Sequence, residues 1–600
     1  MTAGRPPLAT GPDPRRLFTV PVGRPFLVAV AEAIIAGHLP VHGGSAPALL
    51  DLPDFTVLTP TPRAARSLRK AFLTAGGGRA MLLPRIRPIS EADEDLSLVT
   101  ALADSTAVGA SLADTTPPIG QTERLLILTR LVLAWSERMG EAAADPTGSL
   151  AWGPATAASP AHAVHLAREL ARLMDMVETE HKDLASLASV VPDTYSEHWQ
   201  KTLRFLDIVT ASWPHVLAEM GLASPADARN RRILAETLRI TEHPPSGPVI
   251  IAGVTGSVPA TLELMRAVAA LPNGAIVLPA LDTALDEASW GEVGVHAEHP
   301  QFGLARLLGA LGAVRSDVAP LAGRQPAPHL VRRNAVISEA MRPAATTGRW
   351  HDYGGGADRA EVVQALAGVS LIEAAGADDE AEVVALILRE AAETPGRTAA
   401  LVSPDRLLAR RVAVRLQAWG IRVDDSAGRP LPKTVPGAFL DLVVEAAAQR
   451  FAPAPLMALL KHPLTRLGLG PFAVRRAARA LEIAAFRAPY IGRDLRGVRA
   501  ALARAVAARL GGEMSPKAVQ RLWDEDLAAA EDLVDRLEDA YSQLVALLDA
   551  RSVHPLAVLA AAHLAAAEAV ARLPLEADGS EPTSELWKGD AGDMAAGVMR

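Results

Sequence analysis

Apolar runs of four or five residues alternate with stretches of helical period at the start of the chain. Residues 17–20 and 55–59 have the length and content of strands buried on both faces, and each leads into a helical pattern, Pro25–Ala36 and Pro62–Leu73. From Gln121 the helical pattern extends over much longer spans. It predicts amphipathic helices over 121–138, 161–179, 196–221 and 225–240, joined by short polar or Pro-bearing links. Strand-like runs return at Val249-Ile250-Ile251-Ala252 and Ala275-Ile276-Val277-Leu278, with a helix over Pro259–Ala270 between them. An α/β domain interrupted by a helical insertion and then resumed accounts for this order.

The stretch 314–368 is rich in Pro, Gly, Ala and Arg and reads as an irregular connector. A second α/β unit is expected after it: strand Ser370–Glu373, helix Asp378–Ala392, strand Ala399–Val402, helix Pro404–Trp419 and strand Ile421–Asp424. Beyond Gly437 nearly everything is Ala, Leu and Arg at helical spacing. The expected parts are therefore 1–118 and 246–365 for the first α/β domain, 119–245 for its insertion, 366–436 for the second α/β domain and 437–600 for a helical region. The mixed charges of Trp523–Leu544 read as a solvated helix face. The chain stops at Gly597-Val598-Met599-Arg600, shortly after a helical segment begun around Ser584, which sets the expectation of a truncated product.

Composition narrows the chemistry. At roughly 150 residues per domain, 600 residues suggest about four domains. The absence of cysteine excludes disulfides, thiolate zinc sites and cysteine-ligated clusters within this sequence. Arg15-Arg16 precede an apolar stretch, but Pro21, Gly23, Arg24 and Pro25 break it, so no export signal is read and the expectation is a cytoplasmic protein without a membrane partner. A net charge of −8 neither announces nor excludes nucleic acid, because a local basic groove can hide in a neutral total.

The strand, loop and helix over residues 18–27 have the layout of a nucleotide-binding P-loop without its gripping residues. Gly23-Arg24-Pro25 stands where Gly-Lys-Ser/Thr is needed for the β/γ oxygens and Mg²⁺. Arg24 can attract a phosphate, whereas Pro25 offers neither N–H nor hydroxyl. The second requirement is a carboxylate pair after a buried strand, yet Val249–Ala252 runs into Gly253-Val254-Thr255-Gly256-Ser257 with no acid. Thr255 and Ser257 precede a helix start and offer groups for an anion such as a DNA phosphate; plain capping by Ser257 is the simpler use.

Other signals are weaker. Glu91-Ala92-Asp93-Glu94-Asp95 reads as a solvated acidic helix start rather than a cation site, and His162 with His165 lacks a third metal ligand. His462 reads as a helix-end residue, and Ser257 has no Gly-x-Ser-x-Gly frame. Trp199, Trp213 and Trp419 lie in helical contexts that favour core packing over base stacking.

Thr56-Val57-Leu58-Thr59-Pro60-Thr61-Pro62-Arg63-Ala64-Ala65-Arg66-Ser67-Leu68 resembles the second strand and following helix of UvrD-type superfamily 1 helicases, where Thr-x-x-Ala-Ala opens a helix whose loop touches single-stranded DNA. Thr61 can cap that helix, and Arg63 and Arg66 can face phosphate. Further segments resemble one family, the AddB subunits of AddAB helicase–nucleases in their alphaproteobacterial form: Phe18–Phe26, Leu82–Pro88, Glu197–Thr202, Ala252–Thr261, His299–Leu304, Asp424–Leu431 and Leu459–Leu464.

The resemblance implies an α/β helicase body with P-loop-NTPase-type parallel sheets and large all-helical insertions. It implies double-strand break repair with an AddA-type partner in a heterodimer, that partner using the ATP, and a body that holds DNA ends and scans one strand for a recombination hotspot. Mg²⁺ belongs to a C-terminal nuclease domain that the family carries further on, so no cofactor, metal or catalytic residue is expected among these residues. Thr61, Arg63, Arg66, Arg85 and Arg87, the last two read as lying in a basic loop, are the candidates for phosphate contact, with Thr255 and Ser257 beside them. Two alternatives stand: a structural partner subunit that never touches DNA, and a divergent NTPase that uses Arg24.

Overall fold

The structure is a computed structural model and describes residues 16–41, 44–89, 116–143, 159–182, 206, 212–351, 359–487, 490, 492–510, 516–549, 553–576, 578–580 and 582–599. The chain divides into two compact units, 1–371 and 372–600.

The first unit is built on one six-stranded, all-parallel sheet. Its strands are β1 (Leu17–Val20), β2 (Thr56–Thr59), β3 (Arg85–Pro88), β4 (Val249–Ala252), β5 (Gly274–Pro279) and β6 (Ala319–Pro320), in the order β3-β2-β4-β5-β1-β6. β1 and β4 are buried along their whole length, as strands covered on both faces must be. Alternation then sorts each strand between two cores. Phe18, Val57, Ile250 and Val277 pack under α1 (Phe26–Ile35) and α2 (Pro62–Ala75). Leu17, Leu58, Ile251 and Ile276 face the other way.

Among the described residues, four helices lie between β3 and β4: α3 (Gln121–Ala143), α4 (Pro160–Thr179), α5 (Trp213–Met220) and α6 (Pro225–Glu242). Leu128, Val132, Ala167, Leu170, Met174 and Trp213 give α3 to α5 a core of their own. The expected helix over 196–221 falls mostly outside the described residues. α7 (Pro259–Ala270) joins β4 to β5 and covers the second face of the sheet together with α9 (Phe302–Leu311); α8 (Glu287–Val293) lies between β5 and α9.

The connector expected over 314–368 is more ordered than its composition suggests. β6 lies in it, followed by α10 (Pro328–Ala340), a 3₁₀ turn over Ala344–Arg349 and α11 (Arg359–Ala365). The order comes from polar ties to α8. The Arg342 guanidinium is nearly buried, binds Glu339 and Asp286, and donates to the Ser289 hydroxyl, which itself donates to Asp286. Burial by itself would raise the Asp286 pKa, but Arg342 and the Ser289 N–H and hydroxyl outweigh it and hold the carboxyl below its ordinary range.

The second unit differs from expectation at its start. The helices form, as α12 (Ala377–Glu393) and α13 (Arg406–Ala418), packed through Ala381, Ala385, Leu408, Val412 and Leu416. The three strands expected at 370–373, 399–402 and 421–424 do not, so among the described residues there is one sheet and not two. Leu371 is 89% and Val402 92% exposed. A strand exists only as a rung of a ladder, and these apolar segments have no described strand beside them to bond to.

The rest is helical: α14 (Val435–Ala448), α15 (Pro453–Leu460), α16 (Pro471–Leu481), α17 (Asp494–Leu510), α18 (Lys517–Gln520), α19 (Asp524–Asp549), α20 (Leu556–Ala571) and α21 (Gly589–Met599). α19 buries Leu527, Ala530, Leu533, Val534, Leu537, Tyr541 and Leu544 along one stripe. The Tyr541 hydroxyl donates to the Val443 carbonyl at 3.1 Å. Its other face is not simply solvated, because Arg476 of α16 reaches Asp526 at 2.5 Å and Arg499 of α17 reaches Glu538 at 2.7 Å.

Two half-buried histidines give this unit an acid sensitivity. Burial lowers the pKa of His462 and of His563; for His563 a bond to the Leu440 carbonyl and the charge of Asp441 oppose the shift without cancelling it. A histidine whose folded pKa lies below the unfolded value of about 6.5 lends stability above that pH and loses it as pH falls, because the unfolded chain binds the proton first. Melting followed by circular dichroism should therefore show the second unit losing stability as pH falls from above to below about 6.5. His563→Gln should show a smaller loss over that range.

Candidate nucleic-acid interface

In a parallel sheet all strand-to-helix loops leave from the same rim, and ligands settle where neighbouring strands send their chains to opposite faces. β1 leads to α1 on one face, whereas its neighbour β5 and the next strand β4 lead to the other. The crevice beside β1 is thus where a nucleotide would lie. Two side chains of the loop after β1 bear on it, Arg24 on the β6 side and Phe26 on the β4 side.

The Arg24 side chain is only 6% exposed. Its Nη1 donates to the Leu321 carbonyl at 2.8 Å, its Nη2 lies 3.4 Å from the Ala322 oxygen, and Glu32 stands 3.9 Å away. A Cβ at Gly323 would come within 2.6 Å of the Arg24 guanidinium, so the chain after β6 wraps closely around it. Gly23, at φ +94°, is roofed by Leu330 and Pro326, 3.0 and 3.3 Å from where its Cβ would be. The Phe26 ring lies against Gly253 at the end of β4, 3.0 Å from an added Cβ there, and φ of +79° keeps that position glycine. Where a P-loop leaves a cradle of free N–H groups, this loop has an inward-turned guanidinium and an aromatic cover.

The acid positions agree. The first carboxylate after β4 is Glu263, well into α7 and paired with Arg266 at 2.8 Å. Asp282, which the sequence reading did not weigh, follows β5, but one of its oxygens accepts the Ala284 and Leu285 N–H groups and the other accepts the Ser338 hydroxyl at 2.6 Å. Its carboxylate is committed to holding the loop.

The candidate DNA-contact residues are sorted by the same sheet. Thr61 caps α2, its hydroxyl accepting from the Ala64 N–H at 3.1 Å, and Pro62 opens the first turn. Arg63 and Arg66 are exposed one turn apart, with Lys70 continuing their face. Thr255 and Ser257 leave from the rim of β4, the strand next to β2, which places their loop beside the start of α2. Val258, not Ser257, occupies the N-cap of α7 and makes no side-chain bond there, so the capping role expected of Ser257 is corrected.

Arg85 and Arg87 are in no loop. They lie on edge strand β3, paired with Thr56 and Leu58 of β2. Ile86 between them enters the core under α2, which turns both arginines to the opposite face of the sheet. Arg85, level with the first residue of β2, is also at the far end from the rim. Arg69 ties helix to strand instead, donating to the Ile86 carbonyl at 3.1 Å.

One further signal is compositional and local. Residues 55–89 carry seven Lys or Arg and no Asp or Glu, in a chain whose net charge is −8.

Glu91–Asp95 and Trp199 lie outside the described residues. His162 and His165 are exposed on α4, and among the described residues no group of three or more potential ligands gathers for a metal. His462 follows the end of α15 and accepts from the Leu464 N–H. Trp213 is buried in the α3–α5 core, and Trp419 packs on the α12–α13 core beneath Arg389. No helix among the described residues is long and apolar enough to cross a membrane. No family model matches the chain, and no curated protein matches it.

Proposed function

We propose that this chain is a non-hydrolysing, helicase-like subunit for double-strand break repair, holding DNA ends and guiding a single strand while an AddA-type partner spends the ATP. The observation that carries the reading is the pairing of a degenerate nucleotide loop, its Arg24 turned to the carbonyls after β6 and its Phe26 laid against the end of β4, with a sequence segment of seven cations and no acid, Arg63 and Arg66 of which are exposed at the start of α2. A local excess of cations favours a polyanion through counterion release and needs no catalytic group. Thr61, Arg63 and Arg66 with Thr255 and Ser257 form the rim along which the strand is guided and, as the resemblance implies, scanned. Mg²⁺-dependent cutting is assigned to no residue of this chain.

Ultraviolet crosslinking of a dT oligomer to the complex of both subunits, mapped by mass spectrometry, tests it. Crosslinks are expected within 55–89 and 253–258. Their complete absence from this chain, in a complex that still binds DNA, would favour the structural-partner reading.

A further inference from the structure

We infer that the helical second unit carries its own contact surface for single-stranded DNA, made by Phe472, Trp523 and the arginines between them. Phe472 is 80% and Trp523 74% exposed, far more than Trp350 at 47%, the other aromatic among the largest exposed apolar side chains described. Phe472 opens α16, and Arg475, Arg476 and Arg479 follow at the three-, four- and seven-residue steps that put them on its face. Trp523 immediately precedes α19, with its backbone N–H donating to the Asp526 carboxylate at 3.0 Å. Arg476 binds that same carboxylate at 2.5 Å and Glu525 at 3.3 Å, so one guanidinium joins the two aromatic positions.

Charge selects the occupant. The acids at this end of α19 are already engaged: Asp524 with Arg509 at 2.9 Å, Glu525 and Asp526 with Arg476. Arg475, Lys517 and Arg521 are exposed beside them as surplus positive charge. An aromatic face left in solvent gains nothing there, while a base laid on it gains stacking, and the cations follow the phosphates. Duplex DNA keeps its base faces covered, which makes the single strand the better fit. The inference shares with the proposed function the premise that this chain meets single-stranded DNA, but it stands on different residues in the other unit.

Fluorescence anisotropy of a labelled dT oligomer with the full chain distinguishes them. Phe472→Ala combined with Trp523→Ala should weaken binding about 5- to 10-fold with little change of salt slope, as loss of stacking does. Phe472→Tyr with Trp523→Phe should restore most of it, which a folding defect would not allow. Arg475→Ala with Arg479→Ala should lower the salt slope by about 1.4. Unchanged affinity and slope in these variants would overturn the inference while leaving the sheet rim untouched. Intact DNA binding with lost association to the partner subunit would overturn it too, marking the patch as a protein interface.

Discussion

Replacing Arg63 and Arg66 together by alanine should weaken single-stranded DNA binding by about tenfold or more near physiological salt. The slope of log K against log salt should fall by roughly 1.4, because each phosphate of a single strand that the protein stops neutralising leaves about 0.7 of a counterion unreleased. Both residues are exposed on a helix whose buried face is Ala65, Leu68, Ala71 and Phe72. Surface changes of this sort typically move stability by no more than about 0.5 kcal/mol. Arg85→Ala, on the far face of β3, is the internal control and should change affinity much less. Equal effects at Arg63 and Arg85 would mean that the DNA-binding surface wraps the sheet edge rather than following the rim.

The second large effect concerns stability and not catalysis. Arg24→Ala should cost about 1–3 kcal/mol of folding free energy, because the Leu321 and Ala322 carbonyls would be left without their donor in a nearly enclosed place. Chemical denaturation monitored by circular dichroism measures it. The wild type should hydrolyse no ATP and the variant should gain no nucleotide affinity, since Pro25 and the Phe26 cover remain. A divergent NTPase predicts the reverse: turnover in the wild type that vanishes with Arg24.

Much of the first unit was legible because burial on both faces writes itself as an unbroken apolar run. β4 and β5 are such runs, β1 and β2 come close with threonines at Thr19, Thr56 and Thr59, and Thr61 ahead of Pro62 is a helix start that local chemistry determines. β3 and β6 were not legible. Arg85-Ile86-Arg87-Pro88 is apolar at alternate positions only, since an edge strand has a wet face, and Ala319-Pro320 is too short to carry a pattern. The order of strands, with β5 between β4 and β1, is a tertiary fact with no local signature. In the second unit the same rule misled: apolar content at 399–402 suggests a strand, but a strand also needs a neighbour. The absence of Lys and Ser from the P-loop position could be read directly, whereas the inward turn of Arg24 depends on carbonyls about 300 residues away in sequence.

Whether this chain grips DNA without turning over nucleotide is tested in both halves by one titration. Binding of a labelled dT oligomer to the wild-type chain is followed over a range of salt concentration, with and without Mg-ATP, while phosphate release is monitored in the same samples. Tight binding at low salt, a steep decline as salt rises, identical curves with and without ATP, and no phosphate released are the expected results. Failure to bind at low salt, or binding that changes with ATP and is accompanied by turnover, would contradict the proposed role.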